Sequence, residues 1–292
     1  MKFLKGLGLA ILSLLLFLSL SVFGLVLTIN QTILNPEFVV SQVDRLDVAS
    51  LAKETLSEQI PPEVEQFMGE AVDETIADLE PWMKQQAREA TYSIYDYLEG
   101  RSQSLSLVIS LEPVKESLRD NLREAVLQSP PPELAGLPPA EIEHYLDEYS
   151  QQIPSTFELD EASIPPDVMT QLEMVRQYIG YFHLGYNALI GFILLLILGI
   201  VLINRQVRGS TRSLGSTFLS CGVLSLAGVL ITRYVAASQL VQLDMPVYFQ
   251  TWIPQLLADT LAPLEIYGIG LLAAGVVLLV VSFVYKPREP SL

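Results

Sequence analysis

Apolar residues are concentrated in four runs of the chain, at 7–29, 178–203, 214–235 and 266–285. Each run has about the 20 residues that a helix needs to cross roughly 30 Å of hydrocarbon. A helix satisfies its backbone hydrogen bonds internally, which lipid requires of any single segment that spans it. The pattern therefore predicts four transmembrane helices.

The long segment at 30–177 has the pattern of a water-facing domain. Its 148 residues are enough for one compact domain with its own core. After Pro62, apolar positions recur every three or four residues and acidic residues lie between them, which predicts an amphipathic helix with a solvated acidic face. Pro81 is expected to break or kink that helix. Asp47 is expected to cap the helix that begins at Val48.

A period of two appears once in this segment. Leu105, Leu107, Ile109 and Leu111 alternate with smaller or polar residues, as in a half-buried strand. A single strand needs a partner, and the other extended candidate is the segment at 155–159. We therefore expect these two segments to pair.

The predicted fold class is an all-α polytopic membrane protein. A mainly α-helical extracytoplasmic domain, with one short two-stranded β element, is inserted between spans 1 and 2. The predicted limits are a cytoplasmic tail with span 1 at 1–29, the acidic domain at 30–177, span 2 at 178–203, a basic cytoplasmic loop at 204–213, span 3 at 214–235, an outer interfacial segment at 236–265, span 4 at 266–285 and a cytoplasmic tail at 286–292.

The segment at 236–265 is too polar to cross a membrane easily and too apolar for a loop in water. Tyr248, Phe249 and Trp252, with glutamines between them and the next apolar positions, suit a short helix that lies in the interface. This segment is predicted to form an interfacial surface, and a lipid-binding or partner-binding surface is the alternative.

The basic residues next to the spans predict the orientation. Short loops rich in Lys and Arg are retained in the cytoplasm. Seven such residues and only Glu289 fall on one side of the predicted spans, namely Lys2, Lys5, Arg205, Arg208, Arg212, Lys286 and Arg288. Both termini are therefore predicted to be cytoplasmic, in a plasma (inner) membrane, and the domain at 30–177 is predicted to be extracytoplasmic.

The charge of the chain is divided as unevenly as its hydrophobicity. Half of the residues are hydrophobic, yet the formal net charge is −16. The segment at 30–177 holds 29 acidic and 9 basic residues, a local charge of −20. Such a surface repels nucleic acid and anionic headgroups and favours cations or basic partners. Plain solubility is the competing interpretation.

The first span is interpreted as an anchor. A cleavable signal is the alternative, because Ser19 and Ser21 form a small-x-small pair, but the apolar run continues beyond the 7 to 15 residues typical of a signal. Cys221 is the only cysteine, so no intramolecular disulfide or cysteine-built metal site is expected.

The motifs of common enzymes are missing from the sequence. It has no glycine-rich phosphate loop, no Gly-x-Ser-x-Gly elbow and no Cys-x-x-Cys pair. Glu141, His144 and Glu148 have a spacing found in carboxylate-bridged metal sites, but such sites need a second Glu-x-x-His element, so we interpret them as a solvated helix face. No catalytic residue, cofactor or metal is predicted.

Small residues follow one face of the third span. Thr217, Cys221, Ser225, Gly228 and Thr232 are spaced by three or four residues, and Gly270 and Ala274 form a similar pair in the fourth span. Small residues let helices approach closely in lipid. These seven residues are predicted to form the seam between spans 3 and 4, with a homodimer contact as the alternative.

A charged pair is predicted at the outer end of that seam. Arg233 ends the third span, where a guanidinium near hydrocarbon is costly unless it reaches water or a carboxylate. Glu265 begins the fourth span on the same side, so the two are predicted to form an ion pair. Asp244 and Asp259 are competing partners, and snorkelling to lipid phosphate is the other alternative.

Two function classes are compatible with these patterns. The favoured class is a non-enzymatic membrane protein whose extracytoplasmic domain binds or senses a partner and scaffolds or relays through the membrane helices. The alternative is a membrane enzyme that acts on a lipid or lipid-linked substrate at the outer leaflet, with His183, Asn187, Arg233 and Glu265 around a pocket. The expected partners are the lipid bilayer and another membrane or envelope protein, with a homo-oligomer left open and nucleic acid excluded by charge.

Overall fold

The computed structural model describes residues 2–57, 62–128, 138–160, 163–204, 206–240 and 247–284. This part of the chain is almost entirely helical, with one pair of strands. The elements, in chain order, are α1 (Lys2–Gln31), α2 (Pro36–Arg45), α3 (Val48–Ser57), α4 (Pro62–Leu98), β1 (Ser106–Ser110), α5 (Glu112–Gln128), α6 (Pro139–Gln152), β2 (Thr156–Asp160), α7 (Pro166–Asn204), α8 (Val207–Leu240) and α9 (Val247–Val284).

Four of these helices, α1, α7, α8 and α9, are long and apolar enough to cross a membrane. The prediction of an all-α, multi-pass membrane protein is confirmed at this level. The chain divides into two compact units, which we call the membrane unit (1–38 and 178–292) and the acidic unit (39–177).

Helices α1 and α8 run in the same direction with a constant register. Ser13 Oγ lies 2.9 Å from Ser213 Oγ, and Ser21 Oγ lies 3.6 Å from Cys221 Sγ. Both contacts join residues that are 200 positions apart. Residues with this separation therefore lie at the same depth in the membrane unit.

Helix α7 runs antiparallel to α1. Near the start of α1, Lys5 Nζ donates a hydrogen bond to the carbonyl of Asn204 at 3.4 Å. Two-thirds of the way along it, the Phe23 ring stacks on Tyr186, with centroids 5.6 Å apart. The late residues of α1 are thus level with the early part of the apolar stretch of α7.

Helices α8 and α9 form an antiparallel pair that is held together by glycines. A Cβ atom added to Gly222 would lie 2.8 Å from the carbonyl oxygen of Gly268. One added to Gly215 would lie 3.0 Å from the carbonyl oxygen of Gly275. Farther along, Ser282 Oγ donates to the carbonyl of Arg208 at 3.2 Å, in the same register. The two backbones are close enough that only glycine fits at these positions.

The core of the membrane unit lies where α1, α7 and α8 meet. Its buried members, Leu16, Leu20, Ile193, Leu196, Ile200, Leu214 and Cys221, come from all three helices. Leu16 and Ile200 have no exposed surface. Helix α1 is therefore part of the packed core and is not peripheral to it.

The acidic unit is built around α4. Ala71, Ile76 and Leu79 are buried on one face of this helix. The side chain of Asn121 on α5 donates to Thr75 Oγ1 and to Asp78 Oδ2, both at 3.1 Å, and so joins α5 to α4.

Pro81 was predicted to break or kink α4, and it does not break the helix in two. The helix continues from Pro62 to Leu98 with Pro81 inside it. A proline inside a helix removes one hydrogen bond and its ring crowds the carbonyl four residues earlier, at a cost of about 3 kcal/mol. Leu79 and Tyr97 are buried on the two sides of Pro81, and tertiary packing of this kind opposes that cost.

The predicted strand pair is present, and that prediction is confirmed. β1 and β2 pair antiparallel, with Ser106 opposite Asp160 and Ser110 opposite Thr156. Because residues opposite each other share a face, Leu107, Ile109 and Leu159 lie on the same half-buried side.

The segment at 236–265 is not a separate interfacial helix, which corrects the prediction. Helix α8 extends to Leu240, and α9 begins at Val247 and continues without interruption through Pro254 and Pro263 to Val284. The rest of the predicted segment, at 241–246, lies outside the described residues, as do Arg205 and the tail at 286–292.

Candidate functional site

The candidate site of the membrane unit is a charged pair that joins α8 to α9. Arg233 Nη2 lies 2.6 Å from Glu265 Oε2 in a hydrogen-bonded ion pair. Each of these side chains is a little over a third exposed. The Nε atom of Arg233 is buried and has no hydrogen-bond partner in the described part of the chain.

The backbones of this pair are at different depths. The contacts between α8 and α9 place Glu265 level with residues 225–228, which are five to eight residues before Arg233. At 1.5 Å per residue the offset is about 8 to 12 Å along the helix axis. Side chains lean toward the N-terminus of their own helix, so on antiparallel helices Arg233 and Glu265 lean toward each other. This direction allows the contact.

Exposed tyrosines mark one end of the membrane unit. Tyr178, Tyr181 and Tyr234 are each at least 60% exposed, and the registers place them within about six residues of one another in depth. Tyrosine is enriched where hydrocarbon meets water. Lys5, Arg208 and Arg212 lie about 16 to 29 residues away in depth, at the opposite end. The distance, about 24 to 44 Å, is comparable with the thickness of a hydrocarbon core.

Glu265 lies toward the basic end from the tyrosines. It is level with residues 25–28 of α1, and the tyrosines are level with residues 28–34. Its backbone is therefore within about 14 Å of the tyrosine level, on the side of the basic end. Glu265 was predicted to precede the fourth span, whereas the candidate span in α9 begins at Phe249 and includes it.

Helix α9 contacts α1 close to Glu265, through the ring and the hydroxyl of Tyr267. The Tyr267 hydroxyl donates to the carbonyl of Leu20 at 2.8 Å, and its ring contacts Phe23. A Cβ on Gly24 would lie 2.8 Å from the Tyr267 ring, so α1 must have glycine there for α9 to approach. The Tyr267 hydroxyl and Gly24 therefore hold α9 against α1, on the side of the ion pair that faces the basic end.

The predicted small-residue seam is only partly where the sequence analysis placed it. Thr217, Cys221 and Ser225 are buried, but Cys221 contacts Ser21 of α1. Ser225 does lie at the α8–α9 contact, since its Cβ is 3.1 Å from a Cβ built on Gly268.

Three members of that predicted seam are away from it, which is a correction. A Cβ on Gly228 or Gly270 would meet nothing within 4 Å, and Thr232 is exposed. Ala274 is half-buried. The real seam uses Gly215, Gly222, Gly268 and Gly275, which the sequence analysis did not select. Their spacing of seven residues on each helix is the signal that could have identified them.

The residues of the enzyme alternative are not brought together. His183 packs edge-on against Phe182, with centroids 6.1 Å apart, and Asn187 is exposed. Within the described residues no hydrogen bond or ion pair joins either of them to Arg233 or Glu265. The four residues share a depth range without forming a cluster.

The predicted interfacial surface is described only in part. The Phe249 and Trp252 rings are 6.0 Å apart near the start of α9. The side chain of Tyr248, and all of Asp244, lie outside the described residues. Phe249 and Trp252 therefore belong to the first turns of α9, beyond the tyrosine level.

In the acidic unit, most basic side chains pair with carboxylates of the same unit. Seven of its nine basic residues form ion pairs with carboxylates of the same unit; they are Lys53, Lys84, Arg88, Arg101, Lys115, Arg119 and Arg123. Arg176 lies over the Tyr97 ring, 4.9 Å from its centroid. The excess of acidic residues is left to face solvent.

Hydrogen bonds lower the pKa of two carboxyl groups of this unit. At the start of α3, Ser50 donates from its hydroxyl (2.7 Å) and its backbone N–H (2.9 Å) to Asp47, and these bonds lower the pKa of Asp47. A hydrogen bond from Ser155 and one from Lys115 lower the pKa of Glu112. Asp47 is thus the helix cap that the sequence predicts.

The metal-like spacing on α6 does not form a site. Glu141, His144 and Glu148 are all exposed. In the described residues, no group of three or more His, Cys, Asp or Glu side chains could hold a metal ion. The three residues form the solvated face that the sequence analysis favoured.

Comparison with known proteins adds no assignment to this geometry. The chain matches no protein-family model, and neither a curated protein nor a solved structure is significantly similar to it.

Proposed function

We propose that this is a non-enzymatic, multi-pass protein of the plasma (inner) membrane whose acidic unit binds a basic partner outside the cytoplasm. The membrane unit anchors that complex and serves as its scaffold. In this proposal both termini are cytoplasmic and residues 39–177 are extracytoplasmic.

The orientation is supported by the two ends of the membrane unit. Lys5, Arg208 and Arg212 lie at the end opposite to the exposed tyrosines. Basic residues that flank spans are retained in the cytoplasm. Helix α1 ends and the apolar part of α7 begins at the tyrosine end, so we propose that the segment between them in the sequence is on that side of the membrane.

The observation that carries the function is the uncompensated acidic surface. The unit's own basic residues are largely paired with its carboxylates, so the charge presented to a partner is negative. Opposite charge speeds encounter and suppresses wrong partners. Among the described residues, the exposed carboxylates that form no ion pair with each other or with a described cation include Glu116, Asp120, Glu141 and Glu148.

Helix continuity supports the scaffold role. Helix α7 runs from Pro166 to Asn204 without a break, so the last element of the acidic unit is also the second span. A partner bound to the acidic unit would be attached directly to this span.

Affinity capture of the full chain from mild detergent, analysed by mass spectrometry, tests the proposal. We expect one stoichiometric partner whose binding weakens with salt. A variant with Glu116→Gln, Asp120→Asn, Glu141→Gln and Glu148→Gln should lose it. The matched variant with Glu116→Asp, Asp120→Glu, Glu141→Asp and Glu148→Asp keeps the charge and should retain it.

Two results would contradict the proposal. One is the absence of any stoichiometric partner. The other is equal recovery of the partner with the neutralised and the charge-conserving variants, since the acidic surface would then have no part in the interaction.

A further inference from the structure

Strand β2 has an open backbone edge. The Leu111 N–H donates to the carbonyl of Ser155 at 2.9 Å, one residue beyond the ladder. Hydrogen-bonded pairs alternate along an antiparallel ladder, so Phe157 and Leu159 also direct their backbone groups at β1. Thr156, Glu158 and Asp160 therefore direct theirs to the other side.

Only one end of that edge is closed. The Asp160 N–H donates to Ser163 Oγ at 3.0 Å, and its carbonyl accepts from the Ser163 N–H at 3.1 Å. Thr156 and Glu158 are exposed, and no hydrogen bond to their outward backbone groups is formed in the described part of the chain.

The outer edge of β1 is different. There the carbonyl of Ser106 accepts a hydrogen bond from Ser93 Oγ on α4, at 3.1 Å. The ribbon thus has one edge against a helix and one edge available for pairing. A two-stranded ribbon is only marginally stable alone, so a third strand would stabilise it.

The side chains along the open edge alternate in chemistry. Phe157 is 49% exposed on the face shared with Leu159, and the Glu158 carboxylate lies on the opposite face. An added strand would therefore place one set of side chains beside an aromatic ring and the other beside a carboxylate.

We propose that the open edge of β2 binds an extended segment of the partner in which basic and apolar residues alternate. This inference rests on the proposed function and names the site and the chemistry of the partner. Backbone hydrogen bonds to Thr156 and Glu158 would supply affinity, while Glu158 and Phe157 would select the side chains.

Charge argues against a second copy of this chain at the same edge. Antiparallel pairing of β2 with β2 around Glu158 would set two Glu158 carboxylates side by side, and like charges directly opposite are destabilising. A basic side chain on an added strand would instead lie opposite the Glu158 carboxylate and attract it. The carboxylate thus blocks self-pairing and favours a basic segment.

The test uses the full chain in mild detergent and a fluorescent, acetylated and amidated peptide with four lysines alternating with three valines. Fluorescence anisotropy measures binding, and hydrogen exchange measures protection of the Thr156 and Glu158 amides. We expect saturable binding with both amides protected. Methylation of alternate backbone nitrogens of the peptide should weaken binding by about tenfold or more, since two or more hydrogen bonds are lost.

Two proline variants separate the open edge from the ribbon itself. Glu158→Pro removes an outward N–H and should abolish peptide binding. Val108→Pro is the matched control, because Val108 lies opposite Glu158 and also points its N–H outward, but on β1. Proline is tolerated at such edge positions, and circular dichroism checks that both variants are folded. Glu158→Gln should weaken binding by roughly two- to fivefold.

Several results would overturn the inference. They are equal binding of the methylated peptide, equal effects of Glu158→Pro and Val108→Pro, or absence of peptide binding together with self-association of Glu158→Gln. The last result would mean that the carboxylate only guards the edge. If a salt-sensitive partner is still captured in any of these cases, the proposed function stands and only the edge site fails.

Discussion

Arg233 and Glu265 form an ion pair although their backbones are about 8 to 12 Å apart along the helix axes. The contact exists because each side chain leans toward the N-terminus of its helix and the helices are antiparallel. It brings a guanidinium from the tyrosine level to a carboxylate that lies deeper. A carboxylate at that depth is costly unless it is paired.

The two charges are therefore expected to be coupled. Arg233→Glu and Glu265→Arg should each lower the stability of the detergent-solubilised protein, because each leaves like charges close together. The double reversal should recover at least about 1 kcal/mol of the combined loss. Thermal unfolding of the four proteins measures this, and a double variant as defective as the sum of the singles would disprove the coupling.

The glycine seam should tolerate no side chain. Gly222→Leu would place a Cβ 2.7 Å from the backbone nitrogen of Leu272, and neither backbone can move without separating α8 from α9. Overpacking of this kind costs about 1 to 3 kcal/mol. Gly270→Leu is the matched control, since a Cβ there meets no atom within 4 Å. Similar melting temperatures for the two variants would show that the seam is elsewhere.

The sequence was sufficient for the features that depend on local pattern. Four apolar runs of sufficient length specify four long helices, and the alternation after Ser104 identifies β1 and its partner. Asp47 could be identified as a cap because the residue type and the start of α3 agree.

The features that depend on tertiary neighbours could not be predicted in the same way. Pro81 was predicted from the local sequence to break or kink its helix, but α4 continues through it, as α9 continues through Pro254 and Pro263. The stripe through Cys221 shows that one face of the helix consists of small residues. It does not show which neighbouring helix packs on that face. In the structure α1 contacts Cys221, and glycines on the adjacent face contact α9.

The cap at Asp47 predicts a dependence of stability on pH. Its pKa is lower in the folded unit than the unfolded value of about 3.9, so the capping bonds stabilise the fold above pH 4. That contribution is lost as the pH falls through the folded-state pKa. Asp47→Ala should cost about 1 kcal/mol at pH 7 and less at low pH.

Asp47→Asn is the control for this effect, since asparagine caps helices equally well but does not titrate. Urea unfolding at pH 7 and pH 3 measures both variants. A deficit of Asp47→Ala that is equal at the two pH values would show that the ionised carboxylate is not the stabilising form.

The acidic unit is expected to fold when it is produced alone from residues 30–177. The buried residues of α4 and the hydrogen bond from Asn121 of α5 to Thr75 belong to the same unit. We therefore expect its core to form without a membrane helix. Circular dichroism should show a mainly helical, monomeric protein without added metal. A random-coil spectrum would mean that the unit depends on the membrane helices.

The placement of the acidic unit outside the cytoplasm is the central claim, and thiol labelling of intact cells tests it most directly. Cysteines introduced at Glu74 and Gln151, both exposed in the acidic unit, should react with a membrane-impermeant reagent. A cysteine at Gln206, exposed at the basic end, should react only after the cells are opened. The wild-type chain gives the background, because its single Cys221 is buried. Labelling at Gln206 but not at Glu74 in intact cells would contradict the account.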